Sequence, residues 1–295
     1  MDFRDRVFMA VAENLNFSKA AKELFISQPA VTKHIKELET TLNTPLFTRK
    51  GNRVQLTKAG LLVYSQYKQI KNKYDELSFE IGRLEDKHRG VLKIGASSTI
   101  AQYYIPNILA LFNLKYPDIK LTLFNGNSFD MEQKLLKNEI DLALVENYSS
   151  NKDIKYLSFE NDEIVAIVGK NSPLFKRRNI RFEELTQFPL VLREKGSGTL
   201  EYIEEELNNK NIDISALNVF IYLGSTESIK NFLIDFNGIG LVSNKSITKE
   251  IELNLLRKIE IDDFKLKRKF RTAVLHGHQT SLIELFLNFL NSSTS

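Results

Sequence analysis

The chain has 295 residues, is 42% hydrophobic and carries a net charge of +4, which suffices to bury a sizeable core in two or more domains. No uncharged apolar run approaches the ~20 residues a bilayer span needs, and the start, MDFRDR, lacks the basic-then-apolar order of a signal peptide. Zero cysteines exclude disulfides and thiol chemistry, so the expected compartment is a bacterial cytoplasm.

Charge is unevenly spread. Residues 1–60 hold ten Lys/Arg against six Asp/Glu and so carry the whole excess, while residues 61–295 balance at 31 of each sign. The asymmetry points to a polyanion partner for the N-terminal segment. Taken alone, it fits a solvated basic face equally well.

Phe3, Val7, Phe8, Val11 and Ala12 recur at helical spacing and predict a helix over about residues 2–13. Ser18 is the expected cap of a second helix, Lys19 to Leu24, whose Ala20-Ala21 pair permits close approach of a neighbour. Phe25-Ile26 read as an apolar turn. Ser27 caps a third helix with Pro29 in its first turn, where a missing N–H costs nothing. Val31, Ile35 and Leu38 face inward, and Gln28, Thr32, Lys33 and Lys36 stay near the start or outside. Two helices joined by a tight turn, the second rich in amides and bases, match a major-groove reader. Gln pairs with adenine, Thr reaches a thymine methyl, and Lys reaches guanine or phosphate. An ordinary three-helix bundle is the competing reading.

The stretch PLFTRKGNRVQLT predicts two short strands, Leu46 to Thr48 and Val54 to Leu56, around a basic tip at Lys50-Gly51-Asn52-Arg53. Such a wing lays Arg53 along a minor groove. The candidate DNA-binding set is therefore Ser27, Gln28, Pro29, Thr32, Lys33, Lys36, Arg49 and Arg53. Thr57 then caps a long helix. Val63, Tyr67, Ile70, Tyr74, Leu77, Ile81 and Leu84 alternate spacings of four and three, a heptad seam that predicts a dimerising coiled coil. A helix lying along its own domain has the same periodicity. EDKHRG, residues 85–90, reads as a hinge.

Strands and helices alternate beyond it: VLKIGAS, a helix from Thr99 to Tyr116, KLTLFNGN, a helix from Phe129 to Lys137, and DLALVE. EIVAIVG, PLVLRE, NVFIYLG and IGLVS supply a second set, with helices near 199–210 and 226–236. FRTAVLH and a helix at 280–291 close the chain. Two α/β halves with the chain crossing twice between them form a cleft.

FSKAAKELFISQPAVTKHIKELE, PLFTRKGNRVQLTKAG, IGASSTIAQYYIP, EIDLALVE and GIGLVS together resemble the LysR-type transcriptional regulators over the whole chain. The resemblance implies an all-α N-terminal winged helix-turn-helix (residues 1–57) and a coiled-coil linker helix (58–89). An α/β effector domain similar to periplasmic binding proteins follows (90–295), with lobe I at 91–162 and 267–295 and lobe II at 163–266. IGASSTI, NGNS and LREKGSGT further resemble the branch regulating sulfur assimilation and carbon dioxide fixation. That branch has an arginine after the Gly-Ser-Gly-Thr run, where this chain has Leu200.

Ser98-Thr99, Asn127-Ser128 and Gly196-Ser197-Gly198-Thr199 each place hydroxyls and free N–H groups at a helix start, which suits an anion. Singly, such residues are mostly caps. Their convergence from both lobes, with the family's habit of binding effectors there, makes Ser98, Thr99, Asn127, Ser128, Ser197, Gly198 and Thr199 the candidate effector set. Arg193 and Thr226 are further members, and Arg193 has a pairing with Glu194 as its alternative. The implied partners are a double-stranded DNA operator, a small anionic effector, RNA polymerase, and a second copy through the linker helix, with a homotetramer built from two dimers. No cofactor and no membrane are expected.

Other classes fit less well. Glycine motifs for nucleotides and a cysteine nucleophile are missing, which argues against an enzyme. His276 and His278 are expected on one strand face, but no carboxylate or thiol lies nearby in sequence, so no metal is expected. A solute-binding protein would explain residues 91–295 but not the basic first sixty.

Overall fold

The computed structural model describes residues 1–50, 53–84 and 88–294, the side chains of Arg49, Lys50 and Thr294 excepted. By its internal contacts the chain divides into two units, Met1–Glu85 and Asp86–Ser295.

In the first unit, α1 (Phe3–Asn14), α2 (Phe17–Glu23) and α3 (Gln28–Thr41) enclose one apolar core. Val7, Phe8 and Val11 of α1 meet Ala20-Ala21 of α2 and Val31, Ile35 and Leu38 of α3, all buried. The small pair on α2 is what permits this approach. Asn16, not Ser18, caps α2: its Oδ1 accepts from the N–H groups of Ser18 (2.9 Å) and Lys19 (3.0 Å), so the helix starts at Phe17, before the Lys19 that a Ser18 cap would give. Ser27 caps α3 as expected, accepting from Ala30 N at 3.3 Å. Phe25, in the turn, has a φ of 56° and is 95% exposed.

The wing is a two-stranded antiparallel hairpin, β1 (Phe47–Lys50) and β2 (Arg53–Leu56); Gly51 and Asn52 of its expected tip lie outside the described residues. Glu39 Oε1 accepts from Leu46 N (2.7 Å) and Phe47 N (3.2 Å), tying the wing to α3. Thr57 accepts from Gly60 N at 2.9 Å and so caps α4 (Lys58–Leu84). Gly60 is required there, because a Cβ would stand 2.1 Å from the Leu46 carbonyl oxygen. Val63 and Tyr67 of the heptad seam pack on the three-helix core, whereas Ile70, Tyr74, Leu77, Ile81 and Leu84 are exposed. Residues 85–87 of the expected hinge lie outside the described residues.

The second unit opens with β3 (Gly90–Ser97), α5 (Ser98–Tyr103), α6 (Ile105–Lys115), β4 (Ile119–Gly126), α7 (Ser128–Leu136) and β5 (Leu142–Val145). The single helix expected over 99–116 is broken at Tyr104 (φ −121°, ψ −60°), because in a continuous helix the Pro106 ring would clash with the Gln102 carbonyl and has no N–H to donate to it, whereas Pro106 fits the first turn of a new helix. β6 (Ile154–Gly169), β7 (Asn179–Arg181), α8 (Phe182–Leu185), β8 (Leu190–Arg193), α9 (Gly198–Asn209), β9 (Val219–Leu223), α10 (Thr226–Asp235), β10 (Ile239–Ser243), α11 (Thr248–Glu252) and β11 (Leu256–Asp262) follow. β12 (Leu266–Leu275) and α12 (Ser281–Thr294) end the chain.

The strands run in the order β4-β3-β5-β12-β6-β10-β8-β9, with β11 pairing β6 and β7. β3 lies parallel to β4 and β5, and β8 lies parallel to β10 and β9. Between these two groups β6 and β12 run antiparallel from Leu266↔Ile164 to Leu275↔Ile154. They are the two crossings, and they join an α/β lobe on either side. Both are longer than the sequence suggested, by the 154–162 half of β6 and residues 266–269 of β12. His276 and His278 lie in a turn after β12, not on its face, with Gly277 at φ 75°. Among the described residues no helix is long and apolar enough to cross a membrane.

Candidate functional site

α3 buries Val31, Ile35 and Leu38 and presents Gln28, Pro29, Lys33 and Lys36 to solvent, with Thr32 half-buried between them. Gln28 Nε2 donates to Thr32 Oγ1 (3.0 Å), and Thr32 Oγ1 donates to the Gln28 carbonyl (3.2 Å). Pro29, Thr32, Lys33 and Lys36 line a groove together with Glu37, Thr40 and Thr41 of α3 and Arg4 of α1, a residue the sequence reading missed. Arg4 is tied to Asp2 at 2.7 Å, and Lys33 lies 3.9 Å from Glu37. Ser27 and Arg53 are exposed, and the Arg49 side chain lies outside the described residues.

In the second unit the lobes meet through three helix starts. Ser98 and Thr99 open α5, Ser128 opens α7 behind its cap Asn127, and Gly198 and Thr199 open α9 behind its cap Ser197. Ser98, Thr99, Ser128, Ser197 and Thr199 are each at most 4% exposed. Asn127 and Ser197 are engaged as caps, accepting from Asp130 N (2.8 Å) and Thr199 N (3.2 Å). Thr226 is buried in the first turn of α10, whose cap is Ser225. Arg193 pairs with Glu194 (2.8 and 3.0 Å), the alternative noted above, and its Nη1 has no partner among the described residues.

The contact between lobes is tight. Phe129 N donates to the Gly196 carbonyl (3.2 Å), and a Cβ on Gly198 would stand 2.6 Å from the carbonyl carbon of Glu146. Only glycine permits that approach. Tyr103 of α5 donates to Glu227 of α10 (2.5 Å), and Lys230, buried, reaches Glu227 (2.7 Å) and Glu250 (2.8 Å). Burial, reinforced by the Glu227 bond, pushes the Tyr103 phenol far above the tyrosine range. Burial alone would raise Glu227, but hydrogen bonds from Lys230 and Tyr103 hold its carboxyl below its ordinary value.

Three charged residues at the centre, Glu146, Asp162 and Arg268, were missed. Glu146, just after β5, and Arg268, on β12, are 1% and 3% exposed. Glu146 Oε1 accepts from Thr99 (3.2 Å) and Thr199 (3.4 Å) and stands 3.4 Å from Arg268 Nη1, which donates to Thr199 Oγ1 at 2.9 Å. Asp162 of β6 binds Arg268 Nε at 2.7 Å and accepts from Ser243 at 2.7 Å. The available signal was the two-residue alternation in Leu266, Arg268 and Phe270, which puts a guanidinium on a buried strand face. Leu200, at the position where the resembled branch has arginine, is core in lobe II.

The chain thus carries a three-helix unit with a wing and a long helix, followed by a two-lobed α/β domain with a donor-rich cleft. Residues 5–61 match the family model "Bacterial regulatory helix-turn-helix protein, lysR family", and residues 85–295 match "LysR substrate binding domain". The chain belongs to the LysR family of bacterial transcriptional regulators.

Among this LysR regulator's relatives, CysL of Bacillus subtilis is 30% identical over 98% of this chain and 96% of its own. A probable RuBisCO transcriptional regulator of Thalassiosira pseudonana is 31% identical over 97% and 95%. Both agree with the sulfur and carbon dioxide fixation branch. The regulatory domain of CcmR from Synechocystis PCC6803, solved in complex with 2-PG, is 30% identical with a TM-score of 0.64, over 70% of this chain and 98% of that one. The family makes this LysR chain a DNA-binding regulator, not an enzyme.

Proposed function

We propose that this regulator reads a two-fold operator as a dimer joined through α4 and responds to a small anion bound where its effector lobes meet. It works in the cytoplasm, as dimers or as tetramers of two dimers, with residues 1–57, 58–89 and 90–295 as reader, linker and sensor. The lobes divide at the β6 and β12 crossings, as 91–162 with 267–295 and 163–266.

The observation that carries the effector reading is the convergence of Ser98, Thr99, Ser128, Thr199 and Arg268, all buried, from both lobes. Helix starts bring partial positive charge, and their hydroxyls add donors. The 2-PG complex of CcmR, a small anion on a relative, supports the same class. Thr99→Val keeps volume and β-branching but removes a donor. Calorimetry with 2-phosphoglycolate, phosphate and sulfate is expected to show a bound anion losing about 1–3 kcal/mol. Unchanged affinity with an intact fold moves the site elsewhere.

For DNA, Gln28, Pro29, Thr32, Lys33 and Lys36 on α3 enter the major groove, Ser27 and Arg49 hold the backbone, and Arg53 follows the backbone or minor groove. Gln28→Ala is expected to relax preference by about 1–3 kcal/mol at one base position. Arg53→Ala weakens all sequences alike and lowers the salt slope by about one. Binding of both variants to operator and random DNA over a salt series separates the roles. Equal losses on both DNAs for both variants reject the division.

A further inference from the structure

A carboxylate already sits among the donors assigned to the anion. Glu146 Oε1 takes the hydroxyl protons of Thr99 from lobe I and Thr199 from lobe II, and it stands 3.4 Å from Arg268 Nη1. The Glu146 backbone N–H donates to Ser128 Oγ at 3.3 Å, which places the residue at the third helix start as well. One side chain of the protein thus uses most of the hydrogen-bonding capacity an entering anion would need.

Two features distinguish this from an ordinary buried ion pair. Arg268 is already balanced by Asp162, whose Oδ2 lies 2.7 Å from Nε with both side chains fully buried. Glu146 therefore brings a second negative charge to a single guanidinium. The cluster is also left incomplete: Glu146 Oε2, Arg268 Nη2 and the Ser97 and Ser98 hydroxyls are buried without hydrogen-bond partners among the described residues. Buried polar groups are rarely left so. Here the carboxylate's own second oxygen, Arg268 Nη2 and two hydroxyls at the start of α5 are all left so.

We propose that Glu146 is a built-in competitor for the anion site, a residue that sets its affinity and selectivity. The inference rests on the reading of this cleft as an anion site. An effector binds by taking Thr99, Thr199 and Arg268 from Glu146, so its affinity is that of an exchange. A ligand bringing only one acceptor oxygen gains little over the carboxylate it displaces. A tetrahedral oxyanion such as a phosphate group brings three, enough to take over these donors and reach the free Ser98 hydroxyl and Arg268 Nη2 as well. Selection for polyoxyanions over simple carboxylates follows from that difference in acceptor number.

The test is calorimetry on the full chain with 2-phosphoglycolate, inorganic phosphate and sulfate, for the wild type, Glu146→Gln and Glu146→Ala. Glu146→Gln keeps the volume and one acceptor oxygen but removes the charge, and Glu146→Ala keeps neither. Thermal melts of each variant establish that it is folded. Removing a like charge at contact distance is expected to tighten 2-phosphoglycolate binding at least about tenfold in both variants. Adding Thr199→Val to Glu146→Gln removes that gain. Unchanged or weaker binding in both Glu146 variants, or no binding of any of the three anions by them, overturns the competitor role. If Thr99→Val weakens binding while the Glu146 variants do not tighten it, the anion site stands and the competitor falls. If no variant alters binding, both fall.

Discussion

Arg268→Ala is expected to lower the unfolding free energy of the effector unit by about 3–5 kcal/mol, because it leaves two carboxylates buried without their cation. The Arg268 side chain is fully buried and holds Asp162 at 2.7 Å and Glu146 at 3.4 Å, joining the two crossing strands to the end of β5. Arg268 and Asp162 are directly paired residues on β12 and β6. The guanidinium thus bonds across the two central strands that join the lobes. Urea denaturation followed by circular dichroism measures the loss. Asp162→Asn in the same background removes one of the stranded charges, so the double variant is expected to be more stable than Arg268→Ala alone. A loss under about 1 kcal/mol would mean that these groups behave as a solvated surface pair.

The second large effect lies in α4. Ile70→Glu with Leu77→Glu is expected to convert the proposed dimer to monomers in sedimentation and to abolish tight binding to a two-fold operator. Ile70, Tyr74, Leu77, Ile81 and Leu84 are between 44% and 88% exposed and recur at alternating spacings of four and three. Five large apolar side chains in one stripe need a second helix to cover them. Each buried leucine or isoleucine contributes about 1.5–3 kcal/mol, and a carboxylate in its place reverses the sign. Val63 and Tyr67 face their own domain's core, so the two substitutions leave the reader folded. An unchanged sedimentation coefficient rejects the seam as the interface.

The reader was legible because its determinants are local. Ser27, Pro29 and Thr57 announce helix starts from their own side chains, and the spacing of Val31, Ile35 and Leu38 is that of one helix face. The same holds for Ser98, Thr99, Ser128 and Thr199 in the cleft, since a helix start needs only a few consecutive residues to declare itself. Local rules also misled where two neighbours competed. Asn16 outranked Ser18 as a cap because its amide oxygen reaches two orphan N–H groups, and Pro106 divided a helix that apolar periodicity ran through.

Sequence by itself determined the order of the main elements (though not β7, α8, α11 and β11), the exposed face of α3, the heptad spacing and the hydroxyl-bearing helix starts, because each rests on residues within a turn or two of one another. Only the tertiary structure decided which heptad positions α4 spends on its own core and that Leu200 is core. It also decided that Glu146, Asp162 and Arg268 form the charged centre of the cleft. Asp162 and Arg268 are 106 residues apart, and the local alternation that marks Arg268 as inward-facing does not name its partner. Their pairing follows from the antiparallel register of β6 and β12, and register is set by the whole sheet, since a shift of one residue would turn Arg268 to the opposite face.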